Sequence, residues 1–200
     1  MGRPREFDES AVLDAAAGQF RMFGFSDSST ERLCEVAGVR RSSLYNTFTS
    51  KEELFVQALQ RYLSVVDQAQ EAILSDESLD GRERLEVLAE LVLTEEREAA
   101  RQGHAAGCMV VGTYMAPGLR ERDERIARAL EASLERRLSL LAYAIRSGQA
   151  DGSLRRDVNA DDGALLVVTV ISGLRISAQA GAGPDQLQRV FALGLQPLVT

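Results

Sequence analysis

The sequence predicts an all-helical protein, and three observations carry that prediction. Residues 25–51 read as two short helices joined by a tight turn. Beyond residue 84, apolar side chains recur at three- and four-residue spacing, the signature of helices that each bury one face. Residues 160–199 hold two helical segments with apolar surfaces broader than a single helix face needs.

The first helix starts after Asp8 as N-cap and runs to Phe23, with Leu13, Ala16, Ala17 and Phe20 spaced to pack on the helix pair behind it. Ahead of it, Arg3 and Arg5 read equally as an arm for a minor groove or as a solvated tail. Ser29 caps the second helix, which carries Leu33, Val36 and Ala37 on one side and stops at Gly38. The third helix, Arg41 to Phe48, holds only Leu44 and Phe48 as large apolar residues at helical spacing, so it buries a narrow stripe. At about 100° per residue, Ser42 and Asn46 lie opposite that stripe, Ser43 and Thr49 flank them, and Arg41, Tyr45 and Thr47 stand at the sides. Short hydroxyl and amide side chains beside a cation suit a helix that enters a major groove. The helix pair alone is equally compatible with an exposed polar helix in an ordinary bundle.

The fourth helix opens on an S-x-x-E capping box, Ser50 and Glu53, and continues through Leu54, Phe55, Ala58, Leu59 and Tyr62 to about Leu74. Residues 75–85 are polar, contain Gly81 and read as a loop. Helices follow from Arg84 to about Gln102, within residues 104–118 as a short one ending near Pro117, and from Leu119 to Arg146. A Gly-rich connector precedes helices at about Ala160–Gln179 and Asp185–Val199.

Net charge is −7 over 200 residues, which on its sum disfavours a nucleic-acid partner. Its distribution does not: residues 1–62 carry a net charge of about −1 and the remainder about −6. Lys51, the one lysine beside 22 arginines, stands at a helix start. Cys34 and Cys108 are far apart and lack metal-ligand spacing, which fits a reducing compartment. The amino terminus is polar and no apolar run reaches membrane-spanning length, so no membrane association and a cytoplasmic location are expected. There is one histidine, and no H-E-x-x-H, G-x-S-x-G, phosphate-loop or dinucleotide glycine pattern, so neither an enzyme nor a cofactor or metal site is expected.

GRPREFD, Phe20–Phe23 followed by Gly24-Phe25, Ser29-Thr30, AGVRRSSLYNTF and SKEELF together resemble the DNA-binding domain of TetR-family transcriptional regulators. The resemblance is close from Gly2 to about Tyr62 and holds in outline beyond. Arg40 stands where relatives usually carry Ser or another capping residue, and Ser42 where many carry Pro or Gly. The resemblance implies a TetR-like fold. Residues 1–62 would form a DNA-binding domain with its helix-turn-helix at about 29–48, and 63–200 a helical bundle for ligand binding and dimerisation. Candidate DNA contacts are Thr30, Arg41, Ser42, Ser43, Tyr45, Asn46, Thr47 and Lys51, the last on a phosphate.

For the second domain the resemblance implies an inducer pocket and a two-helix dimer surface. Residues 104–115 mix apolar side chains with a few polar ones, and His104, Cys108, Met109, Thr113 and Tyr114 are candidates for an unidentified small-molecule inducer. His104 and Cys108 are four apart, so on one helix they would share a face and the imidazole would favour a thiolate. A buried, unreactive cysteine is the alternative. Leu166, Val170, Leu187 and Phe191 exceed what one chain is expected to cover and are candidates for a homodimer interface, against a deeply buried pair in a monomer core. The expected function is a ligand-inducible repressor that binds a palindromic double-stranded DNA operator. A thiol- or electrophile-responsive regulator or an activator of the same fold, and a helical interaction module that binds no DNA, stay open.

Overall fold

The structure is a computed structural model that describes residues 8–199, so Arg3 and Arg5 lie outside the described residues. Ten helices follow one another among these residues. They are α1 (Glu9–Asp27), α2 (Thr30–Ala37), α3 (Arg41–Phe48), α4 (Lys51–Leu74), α5 (Gly81–Arg101), α6 (Met109–Tyr114), α7 (Pro117–Arg122), α8 (Glu124–Asp151), α9 (Ala160–Gln179) and α10 (Pro184–Leu195). No helix is long and apolar enough to cross a membrane.

Capping sets the first boundaries as expected. Asp8 accepts from the Ala11 N–H, Ser29 from Arg32 and Ser50 from Glu53. Gly38 takes the left-handed conformation that ends α2. Arg40 supplies no side-chain cap to α3, so the departure at this position leaves the first N–H groups of that helix without the usual partner. α1 runs on past Phe23 to Asp27, kinked at Gly24.

Several boundaries beyond α4 differ from expectation, among them the end of α10 at Leu195 and not Val199. Gly81 is the first residue of α5, which Asp80 and Glu83 close with a capping box. A Cβ at Gly81 would stand 2.3 Å from the Gly148 Cα, so this glycine permits α5 and α8 to touch backbone to backbone, a packing role and not a turn. The expected helix from Leu119 to Arg146 is two helices, because Asp123 leaves helical geometry and caps α8 through Arg125. α8 in turn continues to Asp151.

Two apolar cores divide the chain. One joins α5, α8, α9 and α10 through residues such as Leu88, Leu141, Ile145, Val167 and Phe191. The other centres on Phe20, Leu44, Phe48, Leu54 and Phe55 of α1, α3 and α4, and takes in Met109 of α6 with Ile126 and Leu130 of α8. The helix-turn-helix therefore shares its core with helices distant in sequence. Glu53–Arg125 and Asp67–Ser133 contacts show that α4 and α8 run in the same general direction.

Candidate nucleic-acid interface and cavity

α3 is held by Leu44 and Phe48, which are 3% and 0% exposed, and its other side faces out. Arg41, Ser42, Asn46 and Thr47 are exposed there, while Ser43 and Tyr45 are half-buried. Thr30 Oγ1 lies 3.0 Å from the Tyr45 hydroxyl, which ties the start of α2 to the recognition helix. Arg41 donates to Glu31 at 2.8 Å, and its guanidinium stands 5.6 Å from the centre of the Tyr45 ring. The backbone N–H at the start of α2, with Arg41 and Ser29, holds the Glu31 carboxyl below its ordinary range. Glu31 is a partner that the outward-face reading missed, since it lies on the other helix.

Thr49 ends α3 at φ 59°, a conformation unusual for a β-branched residue. The chain turns sharply there, and Lys51 stands just beyond with its Nζ 4.4 Å from the centre of the Phe25 ring. Phe25 packs edge-on against Phe55 and stacks near Phe20. The lysine is thus positioned by an aromatic cluster beside the recognition helix. All eight candidate DNA contacts lie on α2, α3 and the start of α4.

The candidate sensing residues disperse. Residues 104–108 are not helical: Gly103 and Gly107 have φ of 82° and 71°, and α6 begins at Met109. His104 therefore shares no face with Cys108; it is exposed and bonds to Gln102 and the Ala105 carbonyl. Met109 is 1% exposed in the helix-turn-helix core, and Thr113 turns inward to the Met109 carbonyl. Tyr114 lies under the Arg120 guanidinium. Cys108 lines a cavity of about 100 Å³ walled by α4, α5, α6, α8 and α9. Around it stand Tyr62, Gln70, Glu95, Arg137 and Arg175 among apolar side chains.

Burial pushes the Tyr62 phenol up, so it stays protonated, and it donates weakly to Cys108 Sγ at 4.0 Å. Arg175 is buried between two carboxylates. It donates to Glu96 at 2.7 Å and bonds Glu95. Desolvation opposes its charge, and Glu95 and Glu96 outweigh that to raise its pKa above the ordinary arginine value. Glu95 also accepts from Arg21 of α1 at 2.8 Å, and Arg21 Nε donates to the Ala106 carbonyl at 2.7 Å. Glu96 closes the group by accepting from the Ala106 N–H at 2.9 Å. This buried junction of α1, α5 and α9 was invisible to spacing, because its partners are about 75–80 residues apart.

The candidate dimer residues divide. Leu187 and Phe191 are 2% and 4% exposed, covered by α5 and α9 within the chain, so they are not available to a second copy. Val170 is partly buried against Gly194, whose missing side chain lets α10 close on α9. Leu166 is partly buried on the same core. The exposed apolar residues of these helices are Leu165, Ile176, Val190 and Leu193.

The family described as bacterial regulatory proteins, tetR family, matches residues 12–58. HTH-type transcriptional repressor ComR of Escherichia coli (strain K12) is 28% identical over 98% of this chain and 90% of its own. A regulator from Rhodobacter sphaeroides, 23% identical over 97% of this chain and 100% of its own, shares the fold with a TM-score of 0.84. The TetR family transcriptional regulator CifR, solved as a cysteine mutant on a 26 bp double-strand operator DNA, is 30% identical over 98% of this chain and 100% of its own, with a TM-score of 0.74. The chain belongs to the TetR family of helix-turn-helix transcriptional regulators.

Proposed function

We propose that this regulator is a ligand-inducible repressor that binds a palindromic operator as a homodimer in the cytoplasm. Residues 1–62 bind DNA in this reading, and 63–200 bind ligand and a second copy. The observation that carries it is the outward side of α3, where Arg41, Ser42, Asn46 and Thr47 are exposed together over a stripe buried to 3% or less. Short polar side chains let the helix axis approach base edges, Arg41 reaches a guanine, and Lys51 holds a phosphate at the adjoining helix start. CifR, 30% identical across nearly the whole chain, was solved on operator DNA, which supports the same use here.

Dimerisation is assigned to the exposed apolar side of α9 and α10, Leu165, Ile176, Val190 and Leu193, which a second copy would cover. Induction is assigned to the cavity beside Cys108. Glu95 and Arg175 line it, and Glu95 also holds Arg21 of α1. A ligand that moves either wall group loosens the grip on α1 and alters the separation of the two heads, shifting the population away from the operator-bound state. Selection of fragments from random duplex DNA by the purified protein tests the reading. A palindromic consensus is expected; absence of any enriched duplex overturns it.

A further inference from the structure

We propose that the cavity between α4, α5, α8 and α9 takes a small uncharged carbonyl compound, an amide or ketone, whose oxygen accepts from Gln70 and Arg137. This rests on the reading of the cavity as the inducer site. The first ground is an unpartnered buried amide. Gln70 is 7% exposed and lines the cavity, and its side-chain amide has no hydrogen-bond partner among the described residues. A buried amide without partners is costly, so it marks a place where a ligand or water completes the set.

Arg137 supplies the second ground. Its Nε is buried without an acceptor, and its nearest carboxylate, Asp67, is 3.8 Å away and already accepts from Ser133 at 2.8 Å. Gln70 and Arg137 both line the cavity, one from α4 and the other from α8.

Charge decides the class. The cations Arg21, Arg137 and Arg175 are matched by Asp67, Glu95 and Glu96. A carboxylate or ammonium ligand would leave a net charge in this largely apolar enclosure, whereas a neutral carbonyl satisfies the free donors and leaves the balance intact. Val65, Val66, Leu91, Val92 and Ile171 would enclose an apolar tail. A volume of about 100 Å³ is below the ~150 Å³ of an apolar cavity that holds the six heavy atoms of benzene, which limits the ligand to about four heavy atoms.

The test compares acetamide with its charged counterparts acetate and ethylamine, using calorimetry and thermal shift on the full chain at millimolar probe. Acetamide is expected to bind and raise Tm, the charged pair to do neither, and Gln70→Leu to weaken acetamide roughly tenfold. Should the variant not fold, the wild-type ranking still decides. Binding of acetate or ethylamine as tight as acetamide, binding unaffected by Gln70→Leu, or no binding of any probe overturns the proposal. Operator anisotropy in the same samples separates the two readings. Acetamide binding that leaves the operator occupied upholds the ligand class and overturns induction, and operator release by acetate without acetamide binding does the reverse.

Discussion

Two arginine–glutamate pairs of nearly equal length sit in opposite solvent regimes. Arg41 meets Glu31 at 2.8 Å with side chains 64% and 70% exposed; Arg175 meets Glu96 at 2.7 Å with side chains 8% and 2% exposed. Distance does not separate them, and water does. The surface pair trades hydration for an interaction of nearly equal worth, so Arg41 can leave Glu31 for a base or phosphate at little cost. Around Arg175 and Glu96 no solvent stands ready to replace a missing partner, so this pair fixes the geometry of the α5–α9 contact. The head is built to exchange its contacts, and the junction is built to transmit position.

The sharpest break in that comparison is Arg175→Ala, which strands Glu96 in the interior. It should lower stability by about 3–5 kcal/mol in denaturant unfolding. A loss below about 1 kcal/mol, the range of surface pairs, would erase the distinction. Next in size is the contrast between two neighbours on α10. Phe191→Glu should unfold the chain, since Phe191 is 4% exposed, whereas Leu193→Glu, at 60% exposure, should leave a folded monomer by sedimentation. A Leu193→Glu protein that remains dimeric removes this face from the interface. The smallest effect belongs to Glu31→Gln. Stability should change by less than about 1 kcal/mol, while operator affinity rises because Arg41 is freed of its competing carboxylate. Unchanged or weaker operator binding would show that Glu31 serves to position Arg41.

The same contrast explains what the sequence could reveal. Caps at Asp8, Ser29 and Ser50 and the Leu44/Phe48 stripe are local, so the helix-turn-helix was legible nearly to the residue. Gly81 was not, because a glycine at a turn and one at a close helix crossing look alike until Gly148 is known to face it. Four-residue spacing of His104 and Cys108 means a shared face only on a helix, and Gly107 at φ 71° interrupts any such helix. Leu187 and Phe191 were correctly apolar but assigned to the wrong neighbour, since periodicity identifies a buried face and not what buries it. Glu95 and Glu96 carried no signal in the sequence, because their cations, Arg21 and Arg175, lie far away along the chain.

The outward face of α3 as the DNA-reading surface is tested most directly by operator binding of Arg41→Ala and Lys51→Ala across single-base operator variants and a salt series. Arg41→Ala should cost about 1–3 kcal/mol and relax preference at one base position per half-site. Lys51→Ala should weaken every duplex alike and reduce the salt slope by about one for each phosphate the variant no longer neutralises. Wild-type affinity, base preference and salt slope in both variants would contradict the assignment.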